Sequence, residues 1–261
     1  LSIFFKLIKN FLPNDFHFFS IWIFLCFLFQ SLFSYLIIKT FTKDDVYALI
    51  GSIFFITAPI FIKTVGIHIS LFGQWLILVT LYIQSTTNNN KKKIYWILVI
   101  LLSSGIHFYF TIMLYLMYSI FRFDELIKNK NFFNFVKELL IPILFLLPLM
   151  YILGFFSVSP QNVLAYGFDH YKSNLLSLFN PAGTNLIGTV KWSWILPEIR
   201  IDHNHDESFS YLGLAGIILF FSLIIILIKN IKKIDFTKYR TVILIFVIFF
   251  IIALSNKIEF G

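Results

Sequence analysis

Apolar residues in this chain come in long blocks, and Asp, Glu, Lys and Arg lie only outside them. The blocks cover residues 18–38, 46–62, 68–84, 94–121, 139–156, 211–228 and 241–254. About 20 apolar residues span roughly 30 Å of hydrocarbon as a helix. A strand of a membrane barrel alternates apolar and polar positions over about ten residues, and these blocks do not alternate. Lipid offers the backbone no hydrogen bonds, so a non-barrel span must be helical. The pattern predicts an all-α, polytopic membrane protein.

The fourth block is the irregular one. It is interrupted by Ser103, Ser104, Gly105 and His107. Residues 94–121 would make about 42 Å of helix at 1.5 Å per residue, too short for two full crossings. Two short helices meeting at 105–107 fit better. That gives about eight membrane helices, two of them short, in one transmembrane domain over 1–261. Pro59, Pro142 and Pro148 fall inside blocks as kinks, which membrane helices tolerate.

Charge then orients the chain. Four connections are basic: 39–43, 91–93, 122–137 and 229–240. Lys and Arg concentrate in short cytoplasmic loops, so all four are expected inside. The whole inside segments between blocks, which add Asp44, Asp45 and Glu138 to these stretches, hold 14 of the 21 Lys and Arg but 6 of the 13 acids, which puts the whole formal net charge of +8 on one side. Residues 124–140 are amphipathic and read as a helix on the inner surface leading into the next span. The other face receives His17, His68, His107, His170, His203 and His205, and the one long loop, 157–210. That loop includes the turn sequence Asn180-Pro181-Ala182-Gly183 and the pair Trp192 and Trp194, read as interfacial anchors.

Composition agrees with a lipid solvent. Hydrophobic residues make up 59% of the 261 and charged residues 13%, about half the soluble norm of roughly 25%. Mean hydropathy is +0.85. The 35 Phe accompany abundant Ile, Lys, Asn and Tyr, which is a codon bias and no binding signal. Cys26 is the single cysteine, so no internal disulfide exists. No nucleotide loop, serine elbow or zinc-finger spacing is present, and nucleic acid is excluded as a partner.

The candidate chemistry is therefore sought on the outer face. The densest cluster runs Asp202-His203-Asn204-His205-Asp206-Glu207. His203 and His205 are candidate ligands of a divalent metal, since imidazole and carboxylate suit such ions. Asp206 and Glu207 are candidate catalytic carboxylates acting as general base. Asp169, His170 and Lys172 form a second group, suited to a phosphate or a sugar. His68 and Gln74 head the third span, where His68 either caps the helix or binds a ligand. His107 and Tyr109 sit at the tip of the short helix pair, with His107 either in a ligand cleft or bonded within the kink. Lys63 is expected to snorkel outward.

Several motifs carry a resemblance. They are Phe11-Leu12-Pro13, Ile21 through Gln30, Ala58-Pro59-Ile60, Gly66-Ile67-His68, Gln74 through Leu78, and Asp206 through Gly213 before a span. Together they resemble a family of uncharacterised bacterial polytopic membrane proteins, itself similar to the GT-C class of glycosyltransferases. The resemblance implies a multi-pass enzyme of the bacterial inner (plasma) membrane that takes a sugar from a polyprenyl-phosphate carrier. GT-C enzymes keep a catalytic acid in the first outer loop. Here Asp15 is the only acid in that region, and the chain reads as a fragment lacking its N-terminal part. Two other readings stand beside it: a transporter or flippase of lipid-linked glycans, and a non-catalytic membrane protein.

Overall fold

The computed structural model describes residues 5–6, 9–13, 16–87, 89–157, 174–185, 188–199, 209–232 and 236–254. The chain divides into two compact units, one of Leu1–Ile56 with His68–Val163 and one of Thr57–Ile67 with Leu164–Gly261.

The first unit begins with α1 (Phe19–Phe41), 23 residues long, or about 34 Å. Its buried residues are Trp22, Cys26, Gln30 and Ser34, one stripe at four-residue spacing. Phe24, Leu28 and Leu32 face outward. The next helix, α2 (Asp45–Ile56), repeats the arrangement: Ala48 and Ser52 are buried, while Val46, Tyr47, Leu49, Ile50 and Ile53 are exposed. Gly51 lies so close to Ile38 of α1 that a Cβ there would come within 2.6 Å of Ile38 Cδ1. Small and polar residues thus face protein while large apolar ones face out. That is the reverse of a soluble bundle and the habit of helices packed in lipid.

Local sequence sets each break. Asp44 caps α2, its carboxylate accepting from the backbone N–H of Val46 at 2.8 Å. The block 46–62, expected as one span, is two helices, α2 and α3 (Pro59–Ile67). The residue before proline is pushed out of the helical region, so the helix stops ahead of Pro59. The third block opens with a 3₁₀ turn at Ile69–Phe72 and continues as α4 (Trp75–Thr86).

The fourth block breaks at 105–107, into α5 (Asn89–Ser104) and α6 (Phe108–Asn129). Both helices run past the apolar block, so α6 alone reaches 22 residues. Residues 124–140 do not form one surface helix. α6 continues to Asn129, Lys130 takes the left-handed conformation (φ 53°), and Asn131 caps α7 (Phe132–Ile152) by accepting from Asn134 N–H. In this unit α1 packs on α2 and α4, and α5, α6 and α7 pack on one another.

The second unit contains α3, a 3₁₀ turn at Leu175–Leu178, and α8 (Gly213–Asn230) and α9 (Phe236–Leu254). Strands β1 (Ala182–Asn185) and β2 (Gly188–Lys191) form an antiparallel hairpin, with Ala182 opposite Lys191. It is the only β-structure among the described residues of an otherwise helical protein. Gly213 (φ +79°) starts α8 where a Cβ would press on Pro59 at 3.2 Å.

By length and composition, four described helical stretches suit a membrane crossing, Phe19–Phe41, Ile69–Thr86, Phe132–Ile152 and Gly213–Asn230, and the broken pair Asp45–Ile56 with Pro59–Val65 passes the same test taken as one span. The protein is a helical membrane protein, and the lipid bilayer is its partner.

Candidate functional site

At one end of the first unit, three chain corners converge. Trp22 of α1 donates its indole N–H to Ile69 O at 2.8 Å. Gly73 lets the start of α4 press in, for a Cβ there would lie 3.3 Å from Phe110 and 3.4 Å from Ile106. Beside this junction is a groove of about 290 Å³ lined by Phe5, Trp22, Leu25, Phe29, Trp75, Leu102 and Ile106. Its lining is wholly apolar, so it suits a hydrocarbon chain and offers nothing to a charge.

Three expected site residues adjoin this groove in sequence. Gln74 precedes the lining residue Trp75, His107 follows Ile106, and His68 precedes Ile69, which holds Trp22. The His68 ring makes no capping bond to the 3₁₀ turn that follows it; the His68 carbonyl accepts from Leu71 N–H at 2.9 Å. Gln74 is likewise at a helix start without side-chain capping. His107 does cap: its Nδ1 accepts from Tyr109 N–H at 3.2 Å, which fixes the start of α6. The His107 and Tyr109 rings lie 4.8 Å apart, and Tyr109 is exposed. The hydrogen bond within the turn, one of the two readings of His107, is present.

The other expected residues, Asp169, His170, Lys172, His203, His205, Asp206 and Glu207, lie outside the described residues. Among the described residues no group of three His, Cys, Asp or Glu could hold a metal.

In the second unit, Asn180 organises the described part of the loop. Its Oδ1 accepts from Ala182 N–H and Ile199 N–H, and its Nδ2 donates to Ile199 O at 2.9 Å. The expected turn is therefore an Asn-centred one. Trp194 is 91% exposed, while the Trp192 ring lies 5.7 Å from Phe209. Lys63 does not snorkel. It is buried, with Nζ 4.2 Å from the Phe209 ring centroid, a cation–π contact.

The sequence reading missed one cluster, at the opposite ends of α5 and α6. Glu138 accepts from Lys93, stands 3.6 Å from Arg122 Nη1, and accepts from the Tyr118 hydroxyl at 3.2 Å. Arg122 Nη1 also donates to Glu125 at 2.7 Å. Trp96, fully buried, covers Tyr118 and Phe121 and donates to Gln84 at 3.2 Å. The signal was present: Glu138 and Arg122 border apolar blocks, and an ionisable residue at such a place calls for a partner.

A family profile described as a domain of unknown function (DUF6311) matches residues 1–261. The chain belongs to this family. No curated protein and no solved structure matches it. In this DUF6311 chain the apolar groove with its polar neighbours and the buried ionic cluster are thus the two described places where chemistry concentrates.

Proposed function

We propose that this protein is a membrane glycosyltransferase of the GT-C type, built from eight membrane helices, that moves a sugar from a polyprenyl-phosphate carrier at the outer face of a bacterial inner membrane. The groove carries the reading. It is apolar throughout; Gln74 and His107 are the sequence neighbours of its lining residues Trp75 and Ile106, and His68 precedes Ile69, which accepts from the lining residue Trp22. A lipid-linked sugar has that same division into hydrocarbon and polar parts.

In this reading the lipid chain lies against Trp22, Phe29 and Trp75. Glu207 or Asp206 takes the acceptor hydroxyl proton as that oxygen attacks the anomeric carbon. The bond from the anomeric carbon to the carrier phosphate breaks, and Lys172, Lys191 and Arg200 are the cationic groups for the phosphate charge that is released; His203 and His205 would hold a divalent metal, which would supply further positive charge there. Asp169 and His170 are the candidate sugar contacts.

A flippase would bind the same lipid without breaking that bond, and a purely structural membrane protein would do neither. The test is transfer of a radiolabelled sugar from polyprenyl-phosphate donors in proteoliposomes. Glu207→Gln should lower the rate by about 10²–10⁴-fold, as loss of a general base does. Undiminished transfer in that variant would remove Glu207 from the mechanism. Movement of intact donor without transfer would favour the flippase.

A further inference from the structure

The basic ends of α5–α7 hold a polar pocket that the groove chemistry does not use. Arg122 is 3% exposed; its guanidinium lies over the Tyr118 ring at 5.2 Å, and of its nitrogens only Nη1 has a carboxylate partner. Its Nε and Nη2 are buried with no partner. Buried donors are nearly always satisfied, and a guanidinium offers its N–H groups as a rigid fork matched to phosphate oxygens.

Arg122 lines a cavity of about 20 Å³ together with Asn129, Asn131 and Asn134. That is room for one atom the size of a water oxygen. The cavity also abuts the first turn of the 21-residue α7, the positive end of a helix dipole and a natural seat for an anion.

Two carboxylates, Glu125 and Glu138, line the same cavity. Both are committed, Glu138 to Lys93 and Tyr118 and Glu125 to Arg122. With Lys92 and Lys93 counted, cations outnumber them. Burial first, and then the Arg122 charge, hold the Lys92 pKa below the usual lysine value against the pull of Glu125. Lys130 is exposed at the same corner, and Lys128 there pairs with Asp124 at 2.7 Å.

We propose that this pocket binds one oxygen of a phosphate group, taken from the headgroup of an anionic phospholipid or from free phosphate, with Arg122 donating to it and the rest of the phosphate resting on the α6–α7 corner. Asn131 and Asn134 are exposed, so the mouth is open to such a group.

The experiment uses the full chain in detergent with equal phosphatidylglycerol and phosphatidylcholine, read by native mass spectrometry. Wild type should retain phosphatidylglycerol preferentially. Asn134→Asp should lose that retention at least about fivefold, the worth of one charge near a membrane surface. It should keep its thermal stability, because an acid in the first turn suits the helix dipole. Arg122→Lys, which keeps the charge but not the fork, should fall between them. Displacement of the lipid by excess inorganic phosphate would make free phosphate the source, and its persistence would make the headgroup the source. Equal phosphatidylglycerol retention by wild type and Asn134→Asp would overturn the proposal. So would equal retention of the two lipids by wild type, if inorganic phosphate also fails to raise its melting temperature.

Discussion

A carboxylate placed early in an apolar helix is costly unless its charge is answered, and Glu138 is answered from two neighbouring helices by Lys93, Arg122 and Tyr118. Removing one member of a buried ion pair leaves the other uncompensated, at about 3–5 kcal/mol. Glu138→Ala is therefore expected to lower stability by that amount, and thermal or denaturant unfolding in detergent measures it. Asp45 makes a different case because it is exposed. Lys39 first, and then the Tyr35 hydroxyl, hydrogen-bond its carboxylate and hold it below the usual range. A depressed carboxyl stabilises above its unfolded value, about 3.9, and the contribution fades as pH falls through the folded value. The melting temperatures of wild type and Asp45→Asn should thus differ at neutral pH and converge in acid. At this scale the sequence showed which residues were polar but not how they would be used. His107 is a cap because a helix start two residues away needs an acceptor. Lys63 is buried because Phe209, far off in sequence, offers a ring face.

At the scale of elements, breaks were more legible than lengths. Ser103, Ser104 and Gly105 announced the turn between α5 and α6, since small residues let two helices meet closely; Ser103 and Thr111 join across it at 3.1 Å. The ends of those helices were not legible, because polar helical turns continue beyond the apolar block and hydropathy does not register them. The same blindness merged 124–140 into one surface helix, although Lys130 interrupts it with φ 53°. A left-handed residue other than glycine costs roughly 1–2 kcal/mol. Lys130→Gly should accordingly raise stability by about 1 kcal/mol, seen as a higher melting temperature. Gly73 is the opposite case. Its neighbours already stand at ordinary or tight contact distance, so Gly73→Leu should overpack the corner and cost about 1–3 kcal/mol. In the proposed enzyme it should also cut transfer more than Glu138→Ala does, since it deforms the groove.

The whole molecule was legible as a membrane protein from its blocks alone, and the inside-out distribution of residues on α1 and α2 gives the same answer from packing. Its division into two units was not, because hydropathy carries no record of which helices touch. The candidate carboxylates at 206 and 207 lie in a polar stretch, and nothing in such a stretch states what will stand opposite it. The central proposal is the orientation that the charge pattern gives, with the basic connection at 91–93 inside and the polar loop at 157–210 outside. Labelling of Lys92→Cys and Asp169→Cys with a membrane-impermeant maleimide in intact cells tests it most directly, and the native Cys26 is fully buried and silent. The account predicts labelling at position 169 and none at 92 until the membrane is opened. Labelling at 92 but not at 169 would contradict it.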